Sequence, residues 1–135
     1  MALEREGYLF SRDKRLLQLD RIGELLSRTY WANDRSKDRI QTSIDNSLCF
    51  GIYKDGYQVG FARAVTDYAT IYWVSDVVID EAHRGRGLAR ILMKYLTETE
   101  ELQGMRGILA TRDAHGLYEK FGFEKDSDRF MIKRG

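Results

Sequence analysis

The first residues that could do chemistry are two glycines set among arginines. They lie between an apolar run and an amphipathic segment. Arg84-Gly85-Arg86-Gly87 follows the β-branched run 77–79, and residues 88–96 repeat apolar side chains at helical spacing. A glycine turn that opens a helix leaves backbone N–H groups unpaired at the positive end of the helix dipole. Such a turn favours an anion, especially a phosphate. The local charge agrees, because residues 84–91 hold three arginines and no acidic residue.

The turn is neither of the two best-known phosphate motifs. A P-loop would place Lys and then Ser or Thr after its last glycine, whereas this sequence continues with Leu88-Ala89. A dinucleotide fingerprint would have a third glycine where Arg90 stands. On these residues alone, a phosphate site and a plain strand-to-helix connection both stay open.

The composition narrows the classes of function. The chain of 135 residues is the size of one domain, predicted to span 1–135, and its 43% apolar residues can form a core. A net charge of +1 gives no general attraction to nucleic acid or to an anionic membrane. A single cysteine cannot form a disulfide within the chain, so we expect a reducing compartment and a cytoplasmic protein. Neither histidine has a partner at metal-ligand spacing, so we predict no metal.

The glycine turn must be positioned by regular elements, which residue patterns and turn signals predict. Predicted strands span residues 7–10, 48–53, 59–66, 70–79, 107–111, 123–124 and 129–133. A first helix covers 16–27 with Asp13 as its cap, and a second is capped by Ser36 or Asp34 and closed by Asn46. The third helix begins at the glycine turn and ends near Gly104, and the last begins at Thr111 or Asp113 and ends at Gly122. Cys49 falls in a strand and is predicted to be a core residue.

Two motifs carry a family resemblance. Arg-x-x-Gly-x-Ala at residues 84–89 resembles the acetyl-CoA signature of the GNAT superfamily of N-acetyltransferases. Superfamily members commonly show Asn-x-x-Ala-x-x-x-Tyr-x-x-x-Gly-Phe after the strand that follows the coenzyme helix. Here Ala114, Tyr118, Gly122 and Phe123 keep that spacing, while Thr111 replaces the usual Asn. The two motifs lie in the expected order, each beside its expected element, and identify the chain as a member.

The resemblance covers nearly the whole chain and implies its fold. The predicted order β-α-α-β-β-β-α-β-α-β-β is that of the GNAT fold, an α/β protein (an α+β mixed sheet). Its central sheet is mixed but mostly antiparallel, with helices on both faces. In the family, two central parallel strands splay apart. The amide-rich pantetheine arm then bonds the backbone groups that the splay leaves unpaired.

By resemblance, the cosubstrate is acetyl-CoA as acyl donor. Pantetheine would lie along 77–79 with Thr111 opposite, and pyrophosphate on the N–H groups of 85–90, where glycines permit close approach. Arg84 and Arg86 either contact phosphate or are solvated. The predicted coenzyme-binding residues are Val77, Val78, Ile79, Arg84, Gly85, Arg86, Gly87, Leu88, Ala89, Arg90, Thr111, Ala114 and Tyr118.

The resemblance also implies catalytic roles, with the backbone N–H near Val78 as oxyanion donor. Tyr118 is the candidate acid, because a phenol with a pKa of about 10 stays protonated and can serve a leaving thiolate. The alternative is a packing residue. Asp76 is predicted to draw the amine's proton through a water, or alternatively to cap a turn or orient a strand. Polyamine acetyltransferases of the superfamily have Glu-Asp here, and Ser75-Asp76 departs from that pattern. Asp67 and Tyr72 are weaker candidates for the base.

The acceptor is expected between the first two helices, their loop and the middle strands. The predicted acceptor-binding residues are Tyr30, Trp31, Arg35 and Tyr72, in a region that also holds Asp34, Arg39, Arg63 and Tyr68. Aromatic, acidic and basic groups together could hold a small amine that bears a carboxylate. Alternatively, Trp31 packs the helix junction and the charges are solvated.

The leading hypothesis is an N-acetyltransferase that transfers acetyl from acetyl-CoA to a small primary amine by direct attack in a ternary complex. The alternatives are a protein N-terminal or lysine acetyltransferase, and a non-catalytic acyl-CoA-binding sensor or partner module. Neither nucleic acid nor a membrane is an expected partner. The sequence gives no oligomeric state; the resemblance allows a homodimer, since dimers are common in the superfamily.

Overall fold

Six strands form one sheet in which neighbours in space are also neighbours in sequence. In this computed structural model, which describes residues 2–135, the first five strands are antiparallel and the sixth lies parallel to the fifth. The strands are β1 (Ala2–Arg5), β2 (Tyr8–Ser11), β3 (Leu48–Lys54), β4 (Tyr57–Thr66), β5 (Ile71–Ile79) and β6 (Arg106–Ile108). The predicted mixed, mostly antiparallel sheet is confirmed.

Helices cover both faces of the sheet, as predicted. They are α1 (Leu19–Ser27), α2 (Lys37–Asp45), α3 (Leu88–Thr97) and the short α4 (His115–Glu119). The apolar stripes of α1 and α2 pack with Cys49 and Phe61 on one face. The stripe of α3 packs on the other face with the Tyr118 side chain of α4. The sheet is therefore covered on both sides through its middle strands, and consecutive residues of β3 and β4 are buried on both faces.

The start of α1 differs from the prediction, while α2 agrees with it. Asp13 caps a 3-10 turn at Lys14–Leu16, and α1 begins only at Leu19. The cause is Gln18, which is extended and donates its backbone N–H to the side chain of Gln58 on β4 at 2.9 Å. That bond holds the chain out of the helix. The cap of α2 is Ser36, whose hydroxyl accepts from an N–H of the first turn at 3.2 Å.

Both ends of the chain also differ from the prediction. The closing hairpin predicted at 123–124 and 129–133 is wrong, because no strand follows β6 among residues 2–135. Instead, Phe130 stacks against Trp73 of β5 with ring centroids 5.7 Å apart. The sequence does not predict β1, a strand of four residues of which two are charged and three are exposed. It exists because the Glu6-Gly7 turn, with φ of 57° and 81°, folds it back onto β2.

A β-bulge in β5 decides which side chains reach which face. Phe61 on β4 lies opposite Val78, but Arg63 lies opposite Ser75, so β5 carries one extra residue between these pairs. Asp76 lies in that stretch with φ of +56°. Before the bulge, Tyr72 and Val74 face α3; after it, Val77 and Ile79 do. The bulge therefore reverses the alternation of the strand just before its open end.

Close packing of β5 on β6 depends on Gly107. A Cβ added there would lie 2.6 Å from Cζ of Tyr72, whose ring is buried under α3. We predict that Gly107→Ala destabilises the protein by about 1–3 kcal/mol, since a buried ring must move. Gly116→Ala is the matched control, because nothing lies within 4 Å of its added Cβ in α4. It should be neutral or stabilising. Urea unfolding measures both, and an equal effect of the two changes would contradict the packing argument.

Candidate active site

The parallel strands β5 and β6 separate part-way along β5. They pair only from Ile71 to Trp73, while β5 continues to Ile79. Asp80 donates its N–H to Val59 of β4 at 2.8 Å, and successive N–H groups of a strand point to opposite edges. The N–H groups of Val77 and Ile79 therefore point away from β4, towards the open edge.

One backbone group at the open edge has a partner. Arg84 donates from Nε to the carbonyl oxygen of Ile79 at 3.1 Å. The N–H and C=O of Val77 and the N–H of Ile79 stay open, since no strand pairs with this side of β5 beyond Trp73 in the described chain. An edge of this kind takes an extended ligand with alternating donors and acceptors.

The N-terminus of α3 lies next to the open edge. Gly87 is its cap, with φ of +73°, and Gly85 has φ of +80°. The first helical bond runs from Ile91 N–H to the Gly87 carbonyl, so the N–H groups of residues 88–90 have no partner within the helix. No acidic residue occupies the first turn, and the exposed Arg86 and Arg90 have no ion-pair partner among residues 2–135. These features favour an anion at the turn, and the phosphate site there stays a prediction.

Tyr118 on α4 is buried, with its ring edge-on to Phe123 at 6.2 Å. Burial, with smaller contributions from Tyr30 and Asp113, raises the pKa of Tyr118 to about 12. Its hydroxyl has no hydrogen-bond partner among residues 2–135, so the proton is available to a ligand. Thr111 does not offer its side chain in the same way, because its Oγ1 accepts from the Ala114 N–H at 3.0 Å and holds the start of α4.

Asp76 is the centre of a buried charge network. Its carboxylate accepts from Arg35 at 2.7 Å, from Arg63 Nε at 2.8 Å and from Trp31 Nε1 at 2.9 Å. Burial alone would raise the pKa of Asp76, but Arg63 and Arg35 together lower it below its ordinary value. Arg63 is fixed further by the hydroxyls of Ser47 and Ser75. A carboxylate held by two guanidinium groups is a weak proton acceptor and a strong positioning group.

Residues 45–125 match the sequence profile of the family described as acetyltransferase (GNAT) domain. The chain belongs to the GNAT family. A Xanthomonas campestris protein assigned to the GNAT acetyltransferases has a solved structure with a TM-score of 0.92 and 40% identity, covering 98% of this chain and 96% of that one. An acetyltransferase assigned in Gibberella zeae is 33% identical over 97% of this chain and 86% of its own length. GCN5-related N-acetyltransferase 1 of Arabidopsis thaliana is 29% identical, over 93% and 66%. The predicted family, fold and enzyme class are confirmed.

The GNAT fold brings three of the four predicted acceptor residues together. Trp31 and Arg35 bind Asp76, and Tyr30 lies edge-on to Trp31 with ring centroids 5.0 Å apart. Tyr72 does not join them, because its ring is buried on the opposite face under α3. Asp67 is also elsewhere; it closes the β4–β5 turn by accepting from the N–H groups of residues 69–71.

One contact of this GNAT site has no sequence signal. The guanidinium of Arg112, after β6, lies 3.8 Å from the ring centroid of Tyr30 in the α1–α2 loop. This cation–π contact spans the two loops that flank the splay. Nothing in residue type or spacing links positions so far apart in the chain.

The described residues offer no cluster of metal ligands. No group of three or more His, Cys, Asp or Glu side chains within 2–135 is arranged to hold a metal ion. Nor does any helix of the described chain combine the length and apolar character needed to cross a bilayer. Cys49 is buried in the core, as predicted, and burial raises the pKa of its thiol to about 11.

Proposed function

We propose that this GNAT protein is an acetyl-CoA-dependent N-acetyltransferase that acetylates the primary amine of a small molecule, at a site within this one domain. The observation that carries the proposal is the open edge of β5 beside the glycine-capped N-terminus of α3. It offers the two recognition elements that a pantetheine arm and a pyrophosphate require, in adjacent places.

The residues present fit acetyl-CoA. The backbone groups of Val77 and Ile79 match the amides of a pantetheine arm. The free N–H groups of residues 88–90 match a pyrophosphate, with Arg86 and Arg90 adding positive charge. Nothing lies within 4 Å of a Cβ added at Gly85, so phosphate oxygens could approach the backbone closely there.

Two groups at the splay, the N–H of Val77 and the hydroxyl of Tyr118, could take part in acyl transfer. Bound acetyl-CoA supplies an acetyl thioester; a neutral amine joins the acetyl carbon and the coenzyme leaves as a thiol. Val77, next to the position predicted from the family, directs its N–H into the open edge and would donate to the carbonyl oxygen. Tyr118 would give its proton to the departing sulfur, since burial keeps its hydroxyl protonated at any physiological pH.

Asp76 fits the positioning role better than the role of a base. Its lowered pKa and its two arginine partners leave little basicity for a reacting amine. Instead it ties Trp31 and Arg35 of the α1–α2 segment to the strand that carries the open edge. We propose that Asp76 shapes the acceptor site and that the amine loses its proton to solvent.

Calorimetric titration of acetyl-CoA tests the coenzyme site. We expect micromolar binding to the wild type and none to Gly87→Trp, because an indole would cover the N-terminus of α3. Gly104→Trp is the matched control. Gly104 has φ of +78°, so the backbone strain is similar, but it lies just before β6, whose Arg106 pairs with Ile71 at the opposite end of β5 from the glycine turn. No binding by folded wild type, or equal loss in both variants, would refute the proposed site.

A further inference from the structure

An open groove of about 640 Å³ runs along α2 on the face of the sheet that carries the Asp76 network. Its lining residues are nearly all polar or charged: Arg35, Asp38, Arg39, Thr42, Ser43, Asn46, Ser47, Arg63 and Val65. Three guanidinium groups line it, and the carboxylates of Asp38 and of the buried Asp76 offset two of the three positive charges. The groove therefore keeps a net positive charge.

The three arginines differ in how much of their bonding capacity is used. Arg63 is buried; its Nε donates to Asp76, and its two terminal nitrogens donate to the hydroxyls of Ser47 and Ser75. Arg35 donates to Asp76 from one terminal nitrogen, and its side chain is 23% exposed. The guanidinium of Arg39 has no ion-pair, hydrogen-bond or ring partner among residues 2–135. An arginine fork with free donors suits an oxyanion.

The groove ends beside the place of acyl transfer. Arg35 and Arg63 both bind Asp76, which directly precedes Val77. One residue along an extended strand spans only about 3.3 Å, so the inner end of the groove adjoins the open-edge N–H of Val77. A short molecule lying in the groove can thus bring one end to the acyl group and leave the other near α2.

We propose that the acceptor is a primary amine that carries a carboxylate or phosphate, with Arg39 and the outer face of Arg35 as its anion-binding groups. This inference rests on the proposed N-acetyltransferase function and names the chemical class of its substrate. The same positive charges favour the neutral form of a nearby amine, which is the form that attacks a thioester. Diamines and polyamines place a second ammonium where the guanidinium groups stand, so the groove selects against them.

Matched acceptors test the inference in a thiol-release assay with acetyl-CoA. The probes are β-alanine, 4-aminobutyrate and 6-aminohexanoate, each against its own amide, with O-phosphoethanolamine as the phosphate arm and diamines of equal length. We expect kcat/KM to favour the best anionic amine over its neutral counterpart by about tenfold or more, as a charge-assisted bond predicts. Comparing the phosphate with the carboxylates shows which anion the groove prefers.

Two charge variants of α2 test whether Arg39 causes the preference for anionic amines. Arg39→Gln should reduce the preference for anionic amines to about threefold or less by raising KM for them, while kcat/KM for the amides stays within about twofold. Lys37→Gln removes the same charge from α2, but Lys37 pairs with Asp20 outside the groove, so the preference should stay intact.

The outcomes separate the two proposals. Equal use of acids and amides, a preference for diamines, or equal effects of the two charge variants would overturn the anionic-acceptor inference and leave the acetyltransferase standing. If no probe is acetylated, each is titrated calorimetrically into protein saturated with CoA. Failure of the anionic amines to bind better than their amides would then overturn the inference. Failure to bind acetyl-CoA itself would instead refute the proposed function.

Discussion

Asp76→Ala is expected to destabilise the protein by about 3–5 kcal/mol, because it leaves the buried guanidinium of Arg63 without its counter-charge. Arg35 and Trp31 lose their shared acceptor in the same step. Alanine also tolerates the left-handed backbone at this position less well than aspartate. Free energies of unfolding from urea titration measure the loss.

Two comparisons separate the charge network from ordinary substitution effects. Asp76→Asn keeps an acceptor for the arginines and a side chain that tolerates positive φ, so it should cost clearly less. Asp38→Ala removes the same charge from an exposed site on α2 and should stay within about 0.5 kcal/mol of wild type. A cost below about 1 kcal/mol for Asp76→Ala would contradict the network.

The network also has a pH signature. The pKa of Asp76 is lower in the folded protein than in the unfolded chain. The ionised Asp76 carboxylate therefore stabilises the fold fully above its unfolded pKa of about 4. This contribution is lost as the pH falls through the pKa of Asp76 in the folded protein. The difference in stability between wild type and Asp76→Ala should accordingly shrink in acid.

Tyr118→Phe is expected to lower kcat by about 10²-fold, within the range for loss of a general acid, and to leave acetyl-CoA binding unchanged. The ring stays in place against Phe123, and only the unpartnered hydroxyl is removed. The measurement combines steady-state rates with calorimetric Kd for acetyl-CoA. Tyr57→Phe removes a hydroxyl from an exposed tyrosine of the β3–β4 hairpin and should change neither quantity.

The pH profile of the wild type completes this test. With the pKa of Tyr118 raised to about 12 by burial, kcat/KM should rise as the acceptor amine loses its proton and should not fall at any pH up to about 10. A fall in rate between pH 8 and 10, or a loss below about threefold in Tyr118→Phe, would assign the acid role to another group.

Local signals explain what the sequence predicts well. The glycine turn, the cap of α2 and the stripe of α3 depend on residues a few positions apart and lie where their patterns indicate, whereas α1 begins later and α3 ends earlier than predicted. The two family motifs add a long-range prediction, that β5 and the last helix share a site. The predicted coenzyme contacts of Tyr118 and the N-terminus of α3 come from these motifs alone.

Contacts between distant segments explain what the sequence does not reveal. The pairing of Asp76 with Arg35 and Arg63, and of Arg112 with Tyr30, depends on how loops meet across the sheet. Tyr72 is predicted at the acceptor site, but its side chain faces α3. The chain end has three consecutive apolar residues at 130–132, yet Phe130 packs on Trp73 rather than joining a strand.

The bulge at Asp76 adds a residue to β5 that the two faces of the strand do not need. Val74 faces α3 and Ser75 faces the opposite side, so removal of Asp76 alone would leave Val77 and Ile79 on the α3 side and Val78 against α1 and α2, as they are now. Such a deletion would restore a regular ladder and remove the carboxylate that Arg35 and Arg63 share. In alignments of related sequences, a gap at this position would therefore mark a protein that keeps the sheet but lacks this charge network.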